Sequence, residues 1–276
     1  MKILPFLLVL HAVYPQECPY MTYEPQIYGY KRISVLSIEG LPTNLAYNYN
    51  TKSLYFILID LKTLQNDSIQ TKMDQYVLKD NELVKIDKIN GQAVAVDENN
   101  NTVYVATDKG LFILDKFNEP KYLSFKNEDI VQLFKPQNTN DIYAIMYPEN
   151  SVYTYDLDKN ETSQVTNINN AFIIAVDEHK NIYYESESKY VKVLLNGFLE
   201  PFKYVGLGKN RARALAIDWS GNVILATNDG LYNLFPNNVI PTKFLDLDFA
   251  PSGLTFDRQD FYISTTGIIY KYSLCY

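Results

Sequence analysis

The chain has 276 residues and a net charge of −7, from 25 Lys and Arg against 32 Asp and Glu, with a pI near 5.0. That length supports a sizeable core, in one large β domain or two small ones. The acidic balance, with no Lys/Arg cluster, excludes a nucleic-acid backbone or an anionic membrane as the expected partner, because both reward clustered cations.

Met1 and Lys2, followed by an apolar run over residues 3–10, read as a secretory signal peptide covering residues 1–15. The run is too short to cross a membrane, and nothing later is long and apolar enough. Residues 16–30, rich in Pro and Tyr, read as an extended N-terminal arm. Sequons at Asn66, Asn100 and Asn160 fit a secreted glycoprotein. The two cysteines, Cys18 and Cys275, sit near the two ends of the mature chain. In an oxidising compartment that placement predicts one disulfide joining the termini.

Residues 31–38 (KRISVLSI) read as a strand, ended by Gly40-Leu41-Pro42. A repeat follows. Its clearest copy is QAVAVDENNNTVYVATDKGLFIL, residues 92–114, with close copies from Arg213 and Ala171 and a weaker one from Ser252. Each copy is strand, Asp/Asn turn, strand, tight turn, strand. The residues ending the first strands are Asn48, Asp97, Pro136, Asp177, Asp218 and Asp257, spaced about 40 residues apart. The first interval is longer because of an insertion at residues 61–74. This periodicity predicts an all-β six-bladed β-propeller over residues 31–276. The Asp and Asn anchors can close their turns by accepting from their own backbone, whereas Pro136 cannot. Second strands carry Tyr55, Tyr104, Tyr143, Tyr183 and Tyr262 at one register, which suits packing between blades.

The last blade lacks a fourth strand because the chain ends. The strand at residues 31–38 has no blade of its own, and its economical place is that vacant edge. Such closure removes open sheet edges and brings Cys18 and Cys275 together.

The segments leading into the inner strands and the turns between second and third strands share one face around the channel. On it fall Asn44, Gln92, Gln132, Phe172, Arg211 and Arg213 from the first set, and Tyr147 and Asn228 from the second. These are the candidate ligand-binding residues. An Arg at a partly desolvated mouth favours an anionic ligand held bidentately; the alternatives are a solvated loop charge or an ion pair with Glu185. The insertion at residues 61–74 is placed over the same face as a lid.

Chemistry is read by elimination. The histidines are His11, in the signal segment, and His179, in a turn on the opposite face. No Ser-His or Cys-His arrangement, zinc cluster or phosphate loop is left. What this elimination leaves open is a hard cation held by carboxylates and amides.

Six blades of this kind resemble the gluconolactonase-type propellers. Glu39, in Ile38-Glu39-Gly40-Leu41-Pro42, is similar to that family's metal-binding Glu, although Leu41 interrupts the motif. Asn170 stands for a metal-binding Asn. Arg213 stands where the family has an essential Asp. In length, signal, Tyr/Asn-rich composition and degenerate repeats, the chain also resembles the ommochrome-binding carriers of lepidopteran haemolymph. That resemblance implies a secreted carrier that binds a planar, kynurenine-derived pigment without turning it over, and the expectation is a monomer that is not an enzyme, with no catalytic residue, no metal and no cofactor. The alternatives are a Ca-dependent lactonase-like hydrolase and a protein-interaction propeller of the yellow and royal-jelly type.

Overall fold

The structure is a computed structural model describing residues 20–21, 28–64, 71–207 and 212–275. Six antiparallel sheets succeed one another along the chain. Blade 1 comprises Leu41–Asn48, Ser53–Ile59, Met73–Lys79 and Glu82–Ile86, and blade 2 Ala93–Asp97, Thr102–Thr107, Gly110–Leu114 and Pro120–Ser124. Blade 3 comprises Asp129–Phe134, Asp141–Tyr147, Ser151–Asp156 and Glu161–Gln164. Blade 4 comprises Ala171–Val176, Ile182–Ser186, Tyr190–Leu194 and the two-residue Phe202–Lys203. Blade 5 comprises Ala212–Ile217, Val223–Thr227, Gly230–Phe235 and Asn238–Asp246, and blade 6 begins with Gly253–Asp257, Asp260–Thr265 and Ile268–Cys275. The inner strands contact one another in chain order, and the sixth returns to the first. The fold is the expected propeller.

Turn chemistry sets the repeat. The Asp177 carboxylate accepts from the His179 and Asn181 backbone N–H groups at 3.0 and 2.9 Å, from Asn181 Nδ2 at 2.8 Å and from Tyr183 Oη at 3.1 Å. Asp218 closes its turn the same way, through Ser220 and Asn222. Asn48 accepts from the Asn50 and Thr51 N–H groups at 3.1 and 3.2 Å. At the Pro136 turn, which has no side-chain acceptor, Lys135 holds the loop by donating instead. Its ammonium donates to the Pro136 and Thr139 carbonyls at 2.9 and 2.6 Å and lies 3.2 Å from Asp97 Oδ2 of blade 2. The tight turn at Gly110 needs glycine: φ is +123°, and a Cβ there would meet the Phe125 carbonyl oxygen at 2.5 Å.

The core lies between blades. Tyr104 packs with Ala95, Leu133 and Ala144, and Tyr55 with Ala46, Val94 and Val103. The recurrent tyrosines therefore serve inter-blade packing, and Tyr55, Tyr104, Tyr143 and Tyr183 are all buried. Burial pushes the phenols of Tyr104, Tyr143 and Tyr184 up to about 12.

Closure follows the expected strand exchange, over a longer strand. Tyr28–Ser37 pairs antiparallel with Ile268–Cys275, from Gly29 opposite Cys275 to Ser37 opposite Ile268. Tyr20–Met21 adds a fifth strand, so part of the expected arm is itself paired into the sheet. Arg32 fastens this edge. Its guanidinium donates to Asp248 at 2.5 and 3.3 Å and lies 5.1 Å from the Tyr270 ring centroid. Cys275 is disulfide-bonded; its expected partner, Cys18, lies outside the described residues, as do residues 1–15.

Candidate functional site

The inner strands surround a channel of about 660 Å³. Strand alternation turns small and branched apolar residues into its waist, including Leu45, Val94, Leu133, Ile174, Leu215 and Leu254. Polar groups collect where the strands begin and end. The face at the beginnings of the inner strands is the upper mouth. Its lining includes Thr43, Asn44, Gln132, Phe172, Arg213 and Ser252.

Four of the eight expected ligand-binding residues line the channel: Asn44, Gln132, Phe172 and Arg213. Asn44 has φ +48° and donates from Nδ2 to the Gln92 carbonyl at 2.7 Å, tying blade 1 to blade 2. Gln92 does not line the channel. Its Nε2 donates to Asp129 Oδ1 at 2.6 Å, on blade 3. Asn228 is the support of Arg213, accepting from Nε at 2.7 Å. Tyr147 is 57 % exposed, at the end of a second strand, and is not part of the lining. Arg211 lies outside the described residues, as does Asn66 of the insertion. Residues 61–64 and 71–74, the described parts of the expected lid, do not line the channel.

Among the described residues, Arg213 is the cation lining this mouth. Its side chain is exposed, and among the described residues no carboxylate pairs with it. Arg213 does not pair with Glu185, which is buried within its sheet. With Nε engaged by Asn228, the Nη groups remain as donors. Thr43 and Ser252 close the ring at the seam: Thr43 Oγ1 donates to the Ser252 carbonyl at 2.7 Å, and Ser252 Oγ to the Pro42 carbonyl at 2.5 Å. Neither was selected from the sequence, because a Ser or Thr beside Pro or Gly reads as ordinary loop.

The residues do not fit the cation that the gluconolactonase resemblance implies. Glu39 is 83 % exposed and ion-paired with Lys62 at 2.7 Å. Asn170 is exposed and does not line the channel. Among the described residues no group of three or more His, Cys, Asp or Glu is placed to hold a metal. At the position of the family's Asp, Arg213 puts a fixed positive charge, which opposes a cation.

Comparison with known proteins gives fold relationships. No protein-family profile matches the chain, and no curated protein does. Solved structures do. A gluconolactonase from Xanthomonas campestris is 9 % identical, with 94 % of this chain and 95 % of that one aligned at a TM-score of 0.73. A candidate gluconolactonase is 13 % identical over 89 % of this chain and 92 % of its own, at 0.66. A luciferin-regenerating enzyme is 13 % identical over 89 % and 95 %, at 0.61. These neighbours correct the expectation that the chain is not an enzyme. Elimination of His- and Cys-based constellations says little about a fold whose solved members include enzymes. What the comparisons establish for this chain is the fold, a β-propeller.

Proposed function

We propose that the upper mouth is the site of a lactonase-like hydrolase that takes a small ring ester and releases a hydroxy acid. The observation that carries this reading is Arg213: a guanidinium in an open channel mouth, steadied by Asn228 and without a carboxylate partner among the described residues. The neighbouring gluconolactonase-like folds support it.

In the proposed step, water adds to the ester carbonyl carbon and the ring C–O bond breaks. The ring oxygen leaves as an alcohol carrying a proton from the water, and the acid loses its own proton to solvent. Arg213 donates to the carbonyl oxygen as negative charge develops there, and its fork then matches the carboxylate of the product. Asn44, Gln132 and the Thr43–Ser252 pair supply amide and hydroxyl groups for ring substituents. The test is turnover of a panel of sugar and aromatic lactones by wild type and Arg213→Ala. A loss of tenfold or more in kcat/KM in the variant is expected; turnover that is absent from wild type, or unaffected in the variant, overturns the reading.

Phe172 favours a second reading of the ligand. Its ring is 40 % exposed and lines the same mouth as Arg213. A planar acidic ring system, such as an ommochrome-type pigment, could stack on it while Arg213 holds a carboxylate. A shifted absorption band on adding such a pigment tests this. We further propose an extracellular monomer, with glycans at the exposed turn residues Asn100 and Asn160 and a Cys18–Cys275 bond.

A further inference from the structure

One position is equivalent in all six blades: the residue directly after the anchor that ends the inner strand. It is Tyr49, Glu98, Gln137, Glu178, Trp219 and Arg258 in turn. The position in the repeat recurs, but the chemistry does not, and Arg258 alone of the six has a positive φ, +56°. All but Tyr49 line the lower end of the channel, opposite Arg213.

Four of the six residues are tied together. The Arg258 guanidinium lies 4.0 Å from the Tyr49 ring centroid. The Glu98 carboxylate accepts from the Tyr49 backbone, and Gln137 Oε1 accepts from the Glu98 N–H at 2.9 Å. Glu178 and Trp219 are the other two, on blades 4 and 5, whose inner strands pack together. Trp219 is the one tryptophan in the chain, yet it is 64 % exposed. An indole is usually well covered. A loose tip does not explain this one, because the three hydrogen bonds to Asp218 hold its turn. Glu178 extends from the equivalent turn closed by Asp177, with its side chain 61 % exposed and His179 3.7 Å away.

We propose that Trp219 and Glu178 form a second binding site, at the lower mouth, for a small organic cation of the primary or quaternary ammonium type. The indole face attracts a cation through its quadrupole. The Glu178 carboxylate balances the charge, and the apolar waist accepts the hydrocarbon part of the ligand. Arg258, the guanidinium at this mouth among the described residues, is occupied by Tyr49 and lies near Glu98. The site does not depend on the hydrolase reading, which concerns the opposite mouth.

The single tryptophan is its own reporter. Choline is titrated into the full chain at constant ionic strength, against its uncharged isostere in which carbon replaces nitrogen. A saturable fluorescence change with choline alone is expected. In calorimetry, Glu178→Gln should weaken choline binding about threefold, the scale of a solvent-exposed charge pair, since a quaternary ammonium has no N–H to donate, and Trp219→Ala should remove it. Both side chains are exposed, so unchanged melting of the variants is expected. Arg213→Ala should leave choline affinity as it was. No saturable change, an equal response to the uncharged isostere, unaltered affinity in both lower-mouth variants, or a loss in Arg213→Ala would overturn the proposal.

Discussion

Lys135 Nζ lies 3.2 Å from Asp97 Oδ2, and both side chains are 1 % exposed. This buried ion pair joins blade 2 to blade 3 where Pro136 interrupts the Asp turn. Removing one partner leaves the other charge buried and unpaired. Lys135→Met is therefore expected to cost about 3–5 kcal/mol, read as a fall in the denaturant midpoint. Asp97→Asn combined with Lys135→Met should cost less than the two single changes added together. A Lys135→Met loss below about 1 kcal/mol would show that the pair is not what holds this seam.

The same pair sets an acid limit. Burial pushes the Asp97 carboxyl up, but hydrogen bonds from Asn100 and the charge of Lys135 outweigh it, and the group ends below its ordinary value of 3.8. A carboxyl lowered by folding stabilises above its unfolded value, and that stability is lost as pH falls through the folded value. Melting temperature should therefore drop on acidification below about pH 4, and drop less in Asp97→Asn. An equal acid slope in the variant would remove Asp97 from the account.

At the other end of the scale the buried tyrosines act. Tyr104, Tyr143 and Tyr184 are raised from 10.0 to about 12 by burial. A phenol raised by folding gives stability that is present below its unfolded value and is lost as pH rises through the folded value. Unfolding should become markedly easier between about pH 10 and 12. Tyr143→Phe should flatten that decline; an unaltered alkaline profile would contradict inter-blade burial of this phenol.

The closure at blade 6 predicts its own losses. Reducing the disulfide of Cys275 should lower stability by about 2–5 kcal/mol. Arg32→Ala should remove the clamp on Asp248 and Tyr270. That pair is partly exposed, so the expected loss is only about 1 kcal/mol. Native protein titrated with a thiol reagent should show no reactive thiol; one equivalent per cysteine would contradict the bond.

Much of the fold was legible because its turns are built from a repeated chemistry. Asp97, Asp177 and Asp218 accept from residues a few positions on, so their spacing carries the blade period in the sequence. The unpaired strand near residue 31 showed where the ring closes. Lys135 was not legible, since its partner lies in another blade and a Lys before Pro reads as an exposed turn. The candidate site was half legible. Asn44, Gln132, Phe172 and Arg213 reach the channel, whereas Gln92 bonds to the next blade and Asn228 supports Arg213. Register places a loop residue on a face, but only packing decides whether it points to the channel or to its neighbour. The lower ring was missed for a related reason: comparison of repeats emphasises what they share, and at Glu178 and Trp219 they differ.

The most direct test of the hydrolase reading is a calorimetric titration of hydroxy acids, the products of lactone opening, into wild type and Arg213→Gln. Saturable binding near one equivalent, weakened about 10- to 100-fold in the variant, is the result predicted for a charged hydrogen bond at the upper mouth. No binding, or equal affinity in the two proteins, would contradict Arg213 as the group that receives the acid.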